Sequence, residues 1–321
     1  MCTRILWSTG GAPGAGVVLV GRSMDWYEDT ATDLWAFPRG MKHAQSGENM
    51  IAWTSRYGSV VSAMYNAFSV DGLNEVGLVA NGLYLTEADY GVRDVSRPGV
   101  GLPVVIQYVL DSFGTVGEVV DAFSAGLQVV PVLLGGEPGT AHISVSDATG
   151  DSAIIEFLDG RTTIHHGPEY TIMANSPPFD EQLALLPAYE DFGGTLALPG
   201  AVDSPARFVR ATHFMKLLPA TTSARKAVAS VLGVVRNVSV PFGEHDPEHP
   251  NIAATRWRVV ASPSERLYFF DSTIAPSLFW LDLAAIDFSE GAPVLKLDLQ
   301  SGADRAGDVT AELQPSAPLL R

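Results

Sequence analysis

Patterned segments follow one another as strands, helices, strands, helices, strands, and that order leaves few architectures open to the chain. Residues 3–7 are apolar and β-rich, the glycine-rich residues 8–16 read as a turn, and residues 17–21 return as a second strand. The chain therefore opens on a hairpin. Further strand-like pieces lie at 50–54, 59–65 and 77–84. Pro103 then opens a helix whose residues 104–113 are apolar almost all round, which predicts burial on more than one side. A second helix starts at the capping box Thr115-Val116-Gly117-Glu118, with Val116, Val119, Val120 and Phe123 on one face. Two hairpins are legible over residues 142–146, 152–157 and 161–165, turning at 147–151 and at Asp159-Gly160, and residues 170–174 form a short strand. After a loop over residues 187–202, Ser204 caps a third helix with Pro205 at its first position, and Ser223 caps a fourth. Strands at 256–261, 266–271, 278–283 and 294–299 close the chain. No internal repeat and no clean linker interrupts the series. Residues 1–321 read as one α+β domain of two packed β-sheets with helices outside.

Composition narrows the function classes. With 46% hydrophobic and 17% charged residues the chain has ample material for a core. It holds no apolar run of about 18 residues, the length a membrane helix needs. No basic segment followed by an apolar one stands at its start, so no signal peptide is read and the cytoplasm is the expected compartment. A net charge of −16 argues against nucleic acid and anionic membranes as partners. A single cysteine makes neither an internal disulfide nor a four-cysteine metal site. The glycine-rich turn lacks the Gly-Lys-Ser/Thr ending of a phosphate loop, and no serine stands in a Gly-x-Ser-x-Gly elbow.

That one cysteine is Cys2. Removal of Met1, which a small following side chain favours, leaves a thiol and a free α-amine on the same residue. A thiolate is the strong nucleophile among side chains, and an α-amine titrates near pH ~7.7, suited to a general base at neutral pH. Nucleophile and base on one residue is a recurring solution in hydrolases. Position alone would make Cys2 an accident of a terminus, but the segments that follow it speak otherwise.

Arg22 and Asp25 end the strand expected to pair with the Cys2 strand. A guanidinium beside a thiol favours the thiolate, and a carboxylate can hold the α-amine or the arginine. Residues three apart face opposite sides of a regular strand, so for both to reach Cys2 the chain must leave β geometry near Ser23 or Met24. A surface ion pair is the competing explanation. Asn175, at a strand end before Ser176-Pro177, either donates its amide to a developing oxyanion or satisfies a turn. Arg207 falls in the first turn of its helix, where the dipole disfavours a cation; it either reaches back to Asp203 or serves the site. Trp26, Tyr27 and Tyr84 are candidate walls of an apolar acyl pocket, or core. The loop Glu244-His245-Asp246-Pro247-Glu248-His249 resembles a metal cluster, but its prolines argue against a helix presenting both histidines, so no metal and no cofactor is expected. The pair His165-His166 reads as structural.

Several stretches taken together resemble the choloylglycine hydrolase family: Met1-Cys2-Thr3, Gly21-Arg22-Ser23-Met24-Asp25-Trp26, Asp71-Gly72-Leu73-Asn74-Glu75-Val76-Gly77-Leu78, Asn175-Ser176-Pro177 and Ala206-Arg207-Phe208-Val209-Arg210. They run in order over most of the chain. The resemblance implies a four-layer αββα sandwich of two antiparallel sheets, the N-terminal nucleophile hydrolase fold, with an exposed N-terminal cysteine. It implies hydrolysis of the linear amide of a small N-acylated molecule, and a homotetramer. Carried over by position, Cys2 is similar to the nucleophile, Arg22 and Asp25 to its supporting arginine and aspartate, Asn175 to an oxyanion donor and Arg207 to the active-site arginine. Counting from Gly77-Leu78 puts the second oxyanion position on Tyr84, whose main-chain N–H would donate; Asn81, three residues earlier, is the other register. The opening Cys2-Thr3-Arg4-Ile5-Leu6-Trp7 and the stretch Leu34-Trp35-Ala36-Phe37-Pro38-Arg39-Gly40 resemble the Gram-negative-type branch, which implies penicillin V or N-acyl homoserine lactones as substrates. Conjugated bile salts are the alternative substrate class. A binding protein that keeps the fold without turnover is the alternative of another kind, and the complete set of polar groups speaks against it.

Overall fold

The computed structural model describes residues 2–10, 16–134, 137–243 and 253–319. The opening hairpin is β1 (Cys2–Ser8) and β2 (Val18–Asp25), paired antiparallel from Cys2↔Met24 to Ser8↔Val18. Next come β3 (Asp33–Phe37), β4 (Ser59–Met64), β5 (Phe68–Asn74) and β6 (Val79–Leu83), then the helices α1 (Val105–Ser112) and α2 (Val116–Ser124). The strands β7 (His142–Ser146), β8 (Ser152–Leu158) and β9 (Arg161–His166) form the two expected hairpins, and β10 (Ile172–Met173) leads to α3 (Phe179–Leu185). After α4 (Ser204–Lys216) and α5 (Ala224–Asn237) the chain adds β11 (Thr255–Ser262), β12 (Leu267–Ser272), β13 (Phe279–Asp282), β14 (Leu295–Leu297), β15 (Gly307–Asp308) and β16 (Gln314–Pro315).

These strands make two large sheets. The first runs β10-β1-β2-β11-β12-β13-β15 and the second β9-β8-β7-β6-β5-β4-β3-β14-β16. All neighbours are antiparallel except β13 and β15. The alternation of side chains explains the layering. In the second sheet Leu34, Ala36, Val60 and Ile154 join a core shared with the first sheet, whereas Trp35, Phe37, Val61 and Ile155 join a core shared with α1 and α2. Strands buried on both faces carry the near-continuous apolar runs seen in the sequence. On the far side, α4 and α5 pack on β1 and β2. The order is helices, sheet, sheet, helices, the α+β sandwich expected.

Two glycines let the outer helices close. A Cβ on Gly21 would meet Val235 Cγ2 at 2.6 Å and Val231 Cγ1 at 2.7 Å, so β2 must offer α5 a bare backbone there. Gly72 does the same for α1, where a Cβ would lie 2.6 Å from Leu110 Cδ1.

Three departures from the sequence reading have physical causes. The strands β3 and β5 and the helix α3 were not anticipated; β5 reads Phe68-Ser69-Val70-Asp71-Gly72-Leu73-Asn74, whose buried polar residues are satisfied only by the folded chain, Asp71 by Tyr268 and Asn81 of the sheets, Ser69 by Gln107 of α1 and Asn74 by the Leu110 and Phe113 carbonyls. The expected strand at 77–84 is in fact the return of the β5–β6 hairpin, with Gly77 at a φ of 97° in its turn. The cap of α4 is Asp203, whose carboxylate accepts from the Ala206 N–H at 3.0 Å. Ser204 is thereby freed for another bond.

Candidate active site

Cys2 sits in β1 with its side chain buried between the two sheets. Its Sγ lies 3.4 Å from Arg22 Nη2 and 3.7 Å from Met24 Sδ. Arg22 and Met24 are two apart in β2 and so share the face Cys2 uses. Arg22 Nη2 also donates to the Gly82 carbonyl of β6 at 3.1 Å, and Arg22 Nη1 faces Asp71 of β5 at 3.7 Å. The guanidinium is thus gripped by both sheets and lies 4.6 Å over the Trp257 ring. Burial alone would pull Arg22 down, but Cys2 and Asp71 outweigh it and hold it above the ordinary arginine range. Asp71 in turn accepts from Tyr268 OH at 2.6 Å and from Asn81 Nδ2 at 2.7 Å. Burial raises its carboxyl against the pull of Arg22, Tyr268 and Asn81.

Asp25 lies on the opposite face. The chain does not leave β geometry near Ser23 or Met24; β2 pairs regularly with β1 throughout. The irregularity is in the neighbouring strand, where β11 shifts register between Thr255 and Trp257. That bulge turns two residues that would share a face to opposite sides. Thr255 Oγ1 donates to Asp25 Oδ1 at 2.6 Å on the helix side, while Trp257 goes to the inter-sheet side under Arg22. The bulged residue, Arg256, holds the Trp26 and Tyr27 carbonyls at 2.8 and 2.7 Å.

Asp25 reaches Cys2 through Arg207. Arg207 Nη1 lies 3.7 Å from Asp25 Oδ2, donates to the Cys2 carbonyl at 2.6 Å and to the Thr3 hydroxyl, and Nη2 donates to Asn175 Oδ1 at 2.8 Å. Its main-chain N–H bonds the Asp203 carbonyl, but the side chain goes to the site. Burial lowers the Arg207 guanidinium, with Asp25, Cys2 and Asp203 acting against that. Asn175 Oδ1 also accepts from Cys2 N at 2.5 Å, and Asn175 Nδ2 donates to the Tyr84 carbonyl at 2.5 Å. The freed Ser204 hydroxyl accepts the Asn175 N–H at 2.8 Å. Cys2, Arg22, Asp25, Tyr84, Asn175 and Arg207 therefore form one connected cluster. Among the described residues Asn81 touches it through Asp71 alone, and Ser144 donates to its Oδ1 at 3.2 Å.

A cavity of about 420 Å³ opens on Cys2, walled by Met24, Trp26, Phe68, Leu83, Tyr84 and Ile106. Tyr27 stands at its rim, 5.2 Å from the Trp26 ring, and Tyr84 is 6.3 Å from that ring. Asn81 does not line it. His165 lies 3.6 Å from Glu156 of β8 and His166 2.9 Å from Asp151 just before it, and neither histidine lines the cavity. The stretch 244–249 lies outside the described residues. The sequence reading missed Asp71, Thr255, Tyr268 and Ser204, although Asp71 stands inside the motif beginning Asp71-Gly72 and a charged residue in a β-patterned stretch was the available signal.

The fold and its comparisons define the class as an N-terminal nucleophile hydrolase of linear amide bonds. A family model described as linear amide C–N hydrolases, choloylglycine hydrolase family, matches residues 2–296, and the chain belongs to that family. It is 38% identical to a penicillin V acylase of Pectobacterium atrosepticum over 343 aligned positions, 99% of this chain and 91% of that one. The structure of penicillin V acylase from Agrobacterium tumefaciens superposes with a TM-score of 0.90 at 42% identity, covering 99% of this chain and 98% of that one. A variant of conjugated bile acid hydrolase from Clostridium perfringens, at 18% identity and a TM-score of 0.77 over 92% of this chain and 97% of that one, shares the fold. Among the described residues no helix is long and apolar enough to cross a membrane.

Proposed function

We propose that the protein hydrolyses the amide of a small N-acylated molecule with an apolar acyl group, penicillin V or a long-chain N-acyl homoserine lactone, with Cys2 as nucleophile. The observation that carries this reading is the apolar, aromatic-walled cavity ending on the Cys2 thiol. Two relatives named penicillin V acylase support the choice of acyl group.

The steps follow from the arrangement. Loss of Met1 converts the Cys2 nitrogen, which donates to Asn175 Oδ1, into the free α-amine. That amine takes the thiol proton, and the thiolate facing Arg22 attacks the acyl carbonyl. The second Asn175 Nδ2 hydrogen and the Tyr84 main-chain N–H receive the oxyanion. The α-ammonium returns its proton to the leaving amine as the C–N bond breaks, leaving a thioester. Water, deprotonated by the same amine, then releases the acid and the thiolate. Asp25, itself bonded by the Thr255 hydroxyl, holds Arg207, and Arg207 fixes the Cys2 carbonyl and the Asn175 oxygen.

The same reading takes the chain as one domain, since one of its cores is shared by both sheets, and as a homotetramer. Exposed apolar side chains such as Val92 and Ile274 suit subunit contacts. A lone catalytic thiol stays reduced in the cytoplasm, the compartment proposed.

The test pairs intact-mass spectrometry with a hydrolysis panel of penicillin V, a long-chain acyl homoserine lactone and glycocholate. Active material should lack Met1, and Cys2→Ser should stay folded while losing nearly all turnover. Full activity from chains that retain Met1 would sink the free-amine mechanism.

A further inference from the structure

Trp26 walls the cavity, and its main chain and its side chain are held from different sheets. The Trp26 N–H bonds the Ala254 carbonyl at 3.1 Å, and Arg256 of the β11 bulge holds the Trp26 carbonyl at 2.8 Å. Those bonds fix the backbone and leave the indole free to turn about its side-chain dihedrals. The indole Nε1–H donates to the Tyr65 hydroxyl at 2.9 Å, and that hydroxyl donates to Glu28 Oε1 at 2.6 Å. One O–H thus serves as acceptor and donor at once. Burial first and Glu28 second raise the Tyr65 hydroxyl against the pull of the Trp26 bond, so it keeps its proton. Glu28 also bonds the Tyr27 hydroxyl, and the Tyr27 ring lies 5.2 Å from that of Trp26.

Tyr65 belongs to the second sheet, in the turn between β4 and β5. The turn is closed by the Ala67 N–H on the Met64 carbonyl at 3.0 Å, and its central residues Tyr65 and Asn66 have φ of 54° and 51°. A left-handed backbone is disfavoured for a bulky side chain, and turns of this hand ordinarily use glycine, asparagine or aspartate. Asn66 follows that rule and Tyr65 breaks it. Strain of this kind persists only where its surroundings hold it, and it gathers at functional sites. Here the hold is visible: the Tyr65 N–H donates to the Thr30 carbonyl at 2.7 Å. The turn therefore docks twice on the segment that carries Trp26, once through its main chain and once through the Tyr65 hydroxyl. Phe68 and Ser69, at the start of β5, line the same cavity.

We propose that Tyr65 is a specificity-determining positioning residue, a latch that fixes the Trp26 indole in the cavity wall and so favours acyl groups with a flat ring over flexible chains. A fixed indole is preorganised to stack on another ring, whereas a flexible chain adapts to a fixed or a turned one. Stacking of this kind corresponds to roughly a twofold to tenfold difference in binding. The latch bonds lie at the cavity mouth, where water can replace them, so their loss frees one ring and leaves the fold in place.

The inference rests on the aromatic-walled cavity taking the acyl group, as proposed above, and one readout of the latch needs no substrate. The chain has six tryptophans, and with 5-fluorotryptophan incorporated, the fluorine resonance missing from Trp26→Phe marks residue 26. That resonance should shift in Tyr65→Phe, which keeps the ring and loses the hydroxyl. In steady-state kinetics Tyr65→Phe should raise KM for penicillin V roughly twofold to tenfold, with a smaller change in kcat and a smaller rise in KM for a long-chain acyl homoserine lactone. Added to Trp26→Phe it should cost nothing further, since the partner N–H is already gone. Tyr65→Asn suits the turn better and should show the same KM pattern; it decides if Tyr65→Phe does not fold. An unmoved Trp26 resonance, equal losses on both substrates, or additive losses in the double variant overturn the proposal. A parent that hydrolyses neither substrate would instead overturn the functional reading, and the resonance then decides the latch.

Discussion

The Asn175 side chain ties together the nucleophile, Arg207 and Tyr84. Its oxygen takes hydrogen bonds from Cys2 N and Arg207, and its amide nitrogen is tied to the Tyr84 carbonyl. The side chain is therefore locked before substrate arrives, and its second amide N–H is the one assigned to the oxyanion in the proposed mechanism. Removing a preorganised oxyanion donor costs roughly 10²–10³ in kcat. Asn175→Ala is expected to lose that much in kcat with a far smaller change in KM, read from steady-state kinetics on penicillin V. A loss confined to KM would take Asn175 out of the oxyanion role. The groups around it were unevenly legible in the sequence. Cys2 stands out as the lone cysteine at the second position, Arg22 and Arg207 as cations after an apolar strand and in a first helical turn, and Asp25 and Asn175 through the motifs they stand in. Asp71, Thr255 and Tyr268 act from strands far along the chain, and only register brings them to Arg22 and Asp25.

At the scale of elements, the strands β7 and β8 and the helix α3 converge behind Asn175. Glu156 on β8 meets His142 Nδ1 at 3.1 Å, while His142 Nε2 lies 2.9 Å from the Ala174 carbonyl, the residue before Asn175. Both carboxylate oxygens of Glu156 accept the Phe179 N–H that opens α3, and α3 sends Gln182 back to the Asn175 carbonyl. Burial would raise the Glu156 carboxyl, but His142, His165 and the Phe179 N–H outweigh it and pull it down to about 2. A depressed carboxylate contributes stability that is present above its unfolded value and fades as pH falls through the folded one. From 4.5 to about 2 that is worth about 3 kcal/mol. Glu156→Gln is therefore expected to unfold at lower urea than the parent at pH 6–7, the gap closing between about pH 4.5 and about pH 2. A gap independent of pH would mean the loss comes from packing. Elements of this kind were only partly readable in advance. The hairpins of β7 to β9 announce themselves by alternation and an Asp-Gly turn, whereas α3 has neither a capping side chain nor a clear period. The bulge in β11 leaves no mark in the sequence at all.

The molecule as a whole sets what reaches the cavity. Its net charge of −16 surrounds a mouth where Glu28 is exposed and bonded to Tyr65 at 2.6 Å. Penicillin V and glycocholate are anions at neutral pH, and an acyl homoserine lactone is neutral. Like charge slows encounter, and salt relieves it as the screening length falls from about 30 Å at 0.01 M to about 8 Å at 0.15 M. Within the cavity the order is set by shape. The walls Trp26 and Tyr84 present flat rings, which on the proposed function would stack on a phenoxyacetyl group or line a flexible chain, each aromatic contact adding about 0.5–1.5 kcal/mol beyond burial. A bulky, rigid sterol suits such walls less well than a flat ring or a flexible chain. Raising salt over that range should therefore increase kcat/KM for penicillin V about twofold or more and leave the lactone unchanged. Glycocholate should rise in parallel yet stay at least about tenfold below both, a transition-state difference of ~1.4 kcal/mol. The measurement is kcat/KM for all three substrates at five ionic strengths. A penicillin V rate that falls with salt would show a local cationic field winning over the net charge, and a bile salt turned over as fast as the others would overturn the shape argument while leaving the cysteine chemistry standing.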